Sequence, residues 1–327
     1  MARRWLAVLA ALAGAHAACG AHAAPVQSDY ASDVRSWQAH DARLLSIGWR
    51  LARANAAFCA RRQPAIGLML TDFHRFEKPA GVSAALGIAS GVALEAIAAG
   101  SPAEAAGLRA GETLIGVDGA AVSAPGGKLP RGQRLAELML DQIDAALERN
   151  GTVTLRVAAP AQSPRDVAMA GVQVCRARFA LLSTGAAAMS EGYQLKVAVK
   201  LLVEHPSDDE AATIIAHELA HNALDHVAEN NAAHRTYPTV RRNEREADRL
   251  APWLMANAGF DPAAAPRFIA AWGPRHGGGI TRSSSHDGWR DRVEDMAGEL
   301  PVIARERAGR EGQPLDWRAR FAALRTQ

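Results

Sequence analysis

The stretch TIIAHELAHNALDH, residues 213–226, decides how this 327-residue sequence is interpreted. It sets one glutamate and three histidines in a mostly apolar run. His217 and His221 are four residues apart, so on a helix they lie about 40° apart around the axis and roughly 6 Å apart along it. Two imidazoles at that spacing can bind one Zn²⁺ ion, and Glu218 can reach water bound to the metal without becoming a ligand. The alternative is a buried helix that carries this His-Glu-x-x-His pattern by chance.

A third protein ligand would separate a metal site from a chance pattern. The metzincin pattern is excluded, because Leu224 and Val227 stand where it needs glycine and histidine. His226 is nine positions after His217. His226 therefore points to the opposite face of the helix and is expected to be a packed or solvated histidine rather than a ligand.

The sequence NEREADRLA follows further along the chain and predicts a second helix. Glu244 and Asp248 are four residues apart and share one face of it. We expect Glu244 to be the third zinc ligand and Asp248 to accept the free N–H of His217. Asn243 is the candidate for the same role toward His221. An ordinary charged helix face is the alternative interpretation of this segment.

The ends of both helices are also predicted by the sequence. Ser207 and Glu210 have the spacing of a capping box at the start of the first helix. Pro252 falls inside the second helix and should kink it, because it removes one backbone N–H donor. That helix should end near Gly259.

The HExxH sequence and the Glu-x-x-x-Asp pair together resemble the HtpX/BepA-like zinc endopeptidases, the metallopeptidase family that includes the CAAX prenyl proteases. The resemblance extends over about residues 195–300. It implies a gluzincin-type catalytic domain with the zinc-binding residues on two helices. It also implies that a small edge strand, here residues 195–199, pairs with the substrate.

Family members have a further histidine in a Ser-rich segment that faces the active site. At the corresponding place in this sequence, His286 is the candidate to stabilise the oxyanion or to bind the metal. A solvated histidine at the start of a helix is the alternative. His276 and Tyr237 are weaker candidates for the same role.

The sequence GSPAEAAGLRAGETLIGVDG, residues 100–119, indicates short strands, a Gly-Ser-Pro turn and an Asp-Gly turn. It resembles a PDZ domain of the bacterial protease-associated kind, over about residues 66–170. The resemblance implies that Leu86, Gly87 and Ile88 hold a peptide carboxylate on backbone N–H groups while the peptide extends the sheet. A small β domain that serves as a spacer is the alternative.

Residues 1–24 have the layout of a secretory signal peptide: two arginines, an apolar run and an Ala-x-Ala site. The apolar run is too short to span a membrane comfortably. A lipoprotein anchored through Cys19 is the less favoured alternative, because His16 stands where leucine is usual. We therefore predict an exported protein, periplasmic or secreted, with no membrane span in the mature chain.

Cleavage of that segment leaves two cysteines, Cys59 and Cys175. An even pair in an exported protein predicts a disulfide, with two buried free thiols as the alternative. The formal net charge is +3 and the basic residues are scattered, so a nucleic-acid partner is not expected.

Together these patterns predict an α+β protein: a mainly helical gluzincin-type zinc peptidase with a small edge sheet and an inserted β-rich PDZ-like domain. The expected divisions are a signal peptide (1–24), the N-terminal helical part of the peptidase (25–63), the PDZ-like domain (64–171) and the catalytic domain (172–327).

The predicted function is that of an exported endopeptidase with one Zn²⁺ per chain, acting on polypeptides, with envelope protein quality control as one such role. The PDZ-like domain would bind a peptide or regulate activity. A PDZ-bearing binding protein or chaperone with a non-catalytic zinc is the main alternative, and a zinc hydrolase of other substrates is another. Three protein ligands favour an open catalytic site, because structural zinc sites usually have four.

Overall fold

Helices dominate the two ends of the chain, and a β-rich segment lies between them. The structure is a computed structural model, and it describes residues 25–72, 79–86, 91–123, 129, 133–276, 287–310 and 312–325. The helices are α1 (Pro25–Ala54), α2 (Pro79–Leu86), α3 (Pro102–Ala105), α4 (Leu135–Asn150), α5 (Val199–Glu204), α6 (Asp208–Ala223), α7 (His226–Ala232), α8 (Tyr237–Asn257), α9 (Ala264–His276), α10 (Trp289–Ala308) and α11 (Trp317–Arg325).

The strands of the described residues form three separate sheets. They are β1 (Arg62–Ala65), β2 (Leu68–Asp72), β3 (Val92–Ile97), β4 (Thr113–Val117), β5 (Ala120–Ala121), β6 (Thr152–Ala158), β7 (Arg165–Ala170), β8 (Val172–Cys175), β9 (Arg178–Leu182), β10 (Ala188–Ser190) and β11 (Gln194–Ala198). The largest sheet has the order β2-β3-β4-β6-β7, with β5 paired to β4, and all its pairs are antiparallel. The mixed fold agrees with the predicted α+β class.

The β-rich segment, residues 66–171, has a hydrophobic core of its own. Met139, Ile143 and Leu147 of α4 project into this core together with buried side chains of the large sheet. The predicted Asp-Gly turn is present between β4 and β5. Asp118 and Gly119 both have positive φ angles, 47° and 81°, which is the backbone shape that such a hairpin turn needs.

The second and larger core surrounds α6. Every residue from Ala211 to Ala223 is buried, as expected for a helix packed on all sides. Helix α8 packs along α6, and α1 and α9 also contact it. Because α6 lies at the centre of this core, its polar side chains are shielded from solvent and held in place by packing.

The start of α6 differs from the prediction. Ser207 makes no side-chain capping hydrogen bond, so the predicted capping box is wrong. Arg43 of α1 holds this end instead. Its guanidinium donates to the carboxylate of Asp208 at 2.8 Å and to the backbone oxygens of Leu202 and Pro206 at 2.9 Å each.

Helix α8 continues through Pro252 to Asn257, and Gly259, with a φ of 74°, follows its end as predicted. Among the described helices, none combines the length and the apolar character that crossing a bilayer requires.

The prediction that residues 195–199 form an edge strand open to substrate is wrong. Strand β11 lies in the middle of the sheet β10-β11-β9, antiparallel to β10 and parallel to β9. Both of its edges are therefore already hydrogen-bonded. Residues Val199 and Lys200 belong to α5. Within the described part of the chain, β10 is the edge strand of this sheet on the side of α6.

The chain enters and leaves the β-rich segment at one place. Strands β1 and β8 pair antiparallel, and Arg62 lies opposite Cys175. Cys59 and Cys175 form a disulfide with their Cα atoms 5.5 Å apart, so the predicted bond is confirmed.

A second attachment joins the β-rich segment to the sheet beside α6. Arg178 of β9 and the hydroxyl of Tyr193 both donate to the Asp144 carboxylate of α4, each at 2.6 Å. Burial is the largest cause of a raised pKa at Tyr193, and the charge of Asp144 adds to it. The hydroxyl therefore stays protonated and remains a donor.

Candidate metal centre

Three donor atoms converge where α8 packs against α6. The Nε2 atoms of His217 and His221 are 3.4 Å apart. The Oε2 atom of Glu244 is 3.3 Å from the first of them and 3.6 Å from the second. The side chains of His217, His221 and Glu244 are each no more than 15% exposed. The structure thus brings together the three residues that the sequence predicted as ligands.

These separations fit a zinc ion. With metal–ligand bonds of about 2.0–2.1 Å, a tetrahedral centre places neighbouring ligand atoms roughly 3.3 Å apart. The observed distances of 3.3, 3.4 and 3.6 Å are close to that value. Two imidazole nitrogens and one carboxylate oxygen are also a common zinc donor set, with a fourth position left for water.

Glu218 is adjacent to His217 on α6 and is 8% exposed. Among the described residues, the group whose ligand atoms could hold a metal is His217, His221 and Glu244, and Glu218 is not part of it. Its negative charge contributes to the raised pKa of both His217 and Arg292. A buried carboxylate beside the donors, but outside their set, has the placement expected of a proton acceptor.

The other nitrogen of His217 contacts a buried ion pair. Its Nδ1 lies 3.0 Å from Asp248, as the sequence predicted. Arg292 of α10 grips both oxygens of Asp248 at 2.7 Å each. The sequence did not point to Arg292, because it lies 44 positions after Asp248 and only packing of α10 on α8 joins them.

The charges of this cluster shift two pKa values in opposite directions. Burial alone lowers the pKa of His217, but hydrogen bonds to Asp248 and Glu244 outweigh it and raise the pKa to about 10. Burial favours the neutral form of Asp248, yet the Arg292 charge and the bond to His217 hold its pKa well below the usual range. Without a metal, His217 is therefore protonated at neutral pH, and zinc has to displace that proton.

The second nitrogen of His221 has a different partner from the one predicted. The side-chain amide of Asn243 lies 3.0 Å from Oδ1 of Asn230, so its predicted contact with His221 is wrong. Nδ1 of His221 is instead 3.1 Å from Nδ1 of His226. Nε2 of His226 is in turn 3.0 Å from Oε2 of Glu246.

His226 was misplaced because the prediction assumed one continuous helix. Helix α6 ends at Ala223, and Asp225 takes a left-handed φ of 61° before α7 begins at His226. This turn brings His226, with no exposed surface, against His221. A turn signal was hard to see, because the residues before His226 are Leu224 and Asp225 rather than glycine.

Other predicted site residues lie away from the three donors or outside the described residues. Tyr237 is the first residue of α8 and is 52% exposed. His276 ends α9, and its side chain is not described. His286 lies outside the described residues, as do Gly87, Ile88 and the predicted signal peptide with Cys19.

Leu86 is the last residue of α2, and its side chain is also outside the description. The strand that follows the predicted carboxylate loop is β3, which pairs with β2 on one side and β4 on the other. A peptide therefore cannot extend the sheet at β3.

Comparison with protein families supports the metal chemistry. The model of Peptidase family M48 matches residues 182–240. This match supports a zinc metallopeptidase family. The matched stretch contains β10, β11 and α6 with its HExxH sequence, and it stops before Glu244. Searches among curated proteins and among solved structures found no match.

Proposed function

We propose that this chain is a zinc-dependent endopeptidase that hydrolyses peptide bonds in polypeptides. The observation that carries the proposal is the spacing of the donor atoms of His217, His221 and Glu244, 3.3–3.6 Å apart. The match of residues 182–240 to Peptidase family M48 supports it independently. The likeness of the two motifs to the HtpX/BepA-like enzymes is the finer part of the proposal.

The chemistry follows from the residues around the three ligands. A bound zinc ion supplies a Lewis acid and lowers the pKa of water toward about 7. Glu218 takes the proton of the attacking water and returns it to the leaving amine. Asp248 and Arg292 keep the ring of His217 fixed during this exchange, because Asp248 is buried and both of its oxygens accept hydrogen bonds from Arg292.

The outer edge of β10 is the proposed place for the substrate backbone. An extended polypeptide can add to an open edge, and within the described chain no strand pairs with that side of β10. Ser190 of β10 donates to Asn222, the residue after His221, at 2.5 Å. The edge strand is thereby tied to the helix that carries the ligands.

We keep His286 as the proposed oxyanion-stabilising residue. Its neighbour Asp287 forms ion pairs with Arg241 and Arg245 of α8, which lie three residues before and one residue after Glu244. The chain beside His286 is therefore tied to the helix that supplies the third ligand.

We also propose that the β-rich segment is a PDZ-like module that is fixed to the peptidase part. The disulfide and the Asp144 contacts support this rigid attachment. A peptide ligand would have to use the outer edge of β2 or β7, which are the edges of the large sheet in the described chain. Titration of the whole chain with unstructured peptides, followed by backbone NMR of these strands, tests that edge. No shift in either strand would refute peptide binding there.

Export is proposed from the layout of residues 1–24 and is supported by the disulfide, which persists in oxidising compartments. Envelope protein quality control is the role that this location suggests. The mass of the chain recovered from a bacterial periplasm should correspond to a start near residue 24. An intact N-terminus would contradict export, and an acylated Cys19 would show a lipoprotein.

The decisive experiment is incubation of the whole protein with an unfolded polypeptide, with and without a chelator. Cleavage should stop with the chelator and return when zinc is added. Glu218→Gln is the matched control: it should keep its zinc and lose cleavage by about 100-fold or more, because general base catalysis contributes roughly 10²–10⁴. Wild-type turnover by this variant would refute the mechanism. Zinc binding without any cleavage would favour a binding protein with a non-catalytic zinc.

A further inference from the structure

A histidine and a carboxylate lie behind His221, at the ring nitrogen that does not face Glu244. We propose that His226 and Glu246 are positioning residues, which fix the ring and the tautomer of His221 so that its Nε2 is free for the metal. This inference rests on the proposed zinc site, but it concerns the affinity for metal and not the cleavage step.

The tautomers follow from the hydrogen-bond partners. A carboxylate of Glu246 accepts hydrogen bonds, so the Nε2 of His226, 3.0 Å away, carries the proton. In a neutral ring the Nδ1 of His226 is then an acceptor. The Nδ1 of His221, 3.1 Å from it, must therefore be the donor. Its Nε2 keeps a lone pair, and this is the nitrogen that lies 3.4 Å from the matching atom of His217.

Burial makes this arrangement obligatory. His226 has no exposed surface, and His221 and Glu246 are 8% and 9% exposed. A polar ring in such a place needs a partner for each nitrogen, since a buried nitrogen without a hydrogen-bond partner destabilises the fold. The contacts of His226 with His221 and Glu246 supply one partner for each nitrogen.

The turn that presents His226 is anchored from outside α6. Arg61 binds the carboxylate of Asp225 at 2.9 Å, and the backbone N–H of Ala60 donates to the oxygen of Ala223 at 3.0 Å. Asp225 therefore keeps the left-handed conformation that turns the chain, and His226 is delivered against His221 at a fixed place. The residues that anchor the turn follow directly after Cys59 of the disulfide.

The two histidine ligands are thus supported by different chemistry. His217 is backed by the ionised Asp248, which is held by Arg292. His221 is backed by an imidazole, and the carboxylate lies one residue further out. Residues that orient metal-binding histidines in this way typically change metal affinity by about 10–100-fold when they are replaced.

The test measures the dissociation constant of Zn²⁺ from the whole protein, by competition with a chromophoric chelator at one neutral pH. His226→Leu should weaken zinc binding by about 10–100-fold. His226→Asn should retain most of the affinity, because its amide oxygen can stand near the position of Nδ1 and accept the same N–H. His205→Leu is the matched control, since His205 packs against Phe268 before the start of α6 and should leave the constant unchanged.

Wild-type affinity in His226→Leu would overturn the inference, and so would equal losses in His226→Leu and His226→Asn, which would indicate packing rather than hydrogen bonding. If His226→Leu does not fold, Glu246→Leu carries the same test, because nothing then fixes the proton on Nε2; an unchanged zinc constant would refute the proposal. Failure of the wild-type protein to bind zinc would refute the proposed function itself. Zinc binding without cleavage would refute the peptidase proposal and leave this inference standing.

Discussion

At the residue scale, Glu244 and Asp248 show how two acidic residues one turn apart take different tasks. Glu244 turns an oxygen toward both histidine Nε2 atoms, whereas Asp248 contacts only the far side of His217. Removing the Glu244 side chain takes away a donor atom. Removing the Asp248 side chain leaves all three donor atoms in place.

Glu244→Ala should therefore lose zinc more completely than Asp248→Ala, for which a loss of about 10–100-fold in affinity is typical. Zinc content measured after dialysis against metal-free buffer compares the two variants. The control is Glu210→Ala, which lies in the first turn of α6, away from the ligands. This variant should keep its zinc. Equal zinc in Glu244→Ala and the wild type would show that Glu244 is not the third ligand.

The sequence could predict the pairs His217–His221 and Glu244–Asp248, because the two members of each pair are one helical turn apart. It also predicted the contact of Asp248 for the same reason. The sequence could not predict the contacts of His226, Glu246 and Arg292. Their positions depend on where α6 ends and on how α10 packs. Asn243 was misassigned for a related reason: it faces α7, which the sequence did not separate from α6.

At the element scale, Glu299 of α10 joins three helices. It accepts hydrogen bonds from Arg249 and Trp253 of α8 and from Arg320 of α11, at 2.8, 3.0 and 3.0 Å. Burial favours its neutral form, but the bonds from Arg320, Arg249 and Trp253 outweigh it, so the pKa of Glu299 is lowered. The folded protein therefore prefers the ionised carboxylate.

Because the pKa is lower in the folded state, this stabilisation is complete above the unfolded value of about 4.3 and is lost as the pH falls below it. Glu299→Gln should cost about 1–3 kcal/mol at neutral pH, and the difference from wild type should shrink below about pH 4. Urea unfolding with a chelator present, at several pH values, measures it. Glu306→Gln, an exposed change on the same helix, should have little effect at any pH. A constant difference across the range would contradict the assignment.

Local sequence patterns predicted the positions of helices and strands well, but they predicted poorly which strands pair with each other. The helices predicted for the HExxH sequence and for NEREADRLA are α6 and α8, and the predicted Asp-Gly turn lies between β4 and β5. The strand predicted at residues 195–199 is largely β11, in which Leu195 and Val197 are buried. Its neighbours β9 and β10 could not be foreseen, because pairing is decided by distant segments.

At the scale of the whole molecule, the disulfide closes the base of the β-rich segment. It joins residues 116 positions apart in sequence. Closing a loop of that length restricts the unfolded chain far more than the folded one. In the chain-entropy model the gain in unfolding free energy is about 4–5 kcal/mol.

Replacing both Cys59 and Cys175 by alanine should therefore lower the unfolding free energy by about that amount. Tyr193→Phe, which removes only the hydroxyl bond to Asp144, should cost roughly 1 kcal/mol and gives a scale for the comparison. Denaturant unfolding measures both. Alkylation under denaturing, non-reducing conditions, followed by peptide mass analysis, checks the bond itself: label on both cysteines would refute it.

The order of assembly follows from the position of the β-rich segment in the sequence. Helix α1 packs against α6, yet the β-rich segment, with its own core and its antiparallel neighbours, is synthesised between them. It should fold first, because its strands pair with near neighbours in sequence, whereas the packing of α1 on α6 joins distant parts of the chain. Pulsed hydrogen exchange during refolding should show β3, β4 and β6 protected before α6, and the reverse order would contradict this. The group of donors on α6 and α8 is then completed last, so a partly made chain lacks an assembled metal centre.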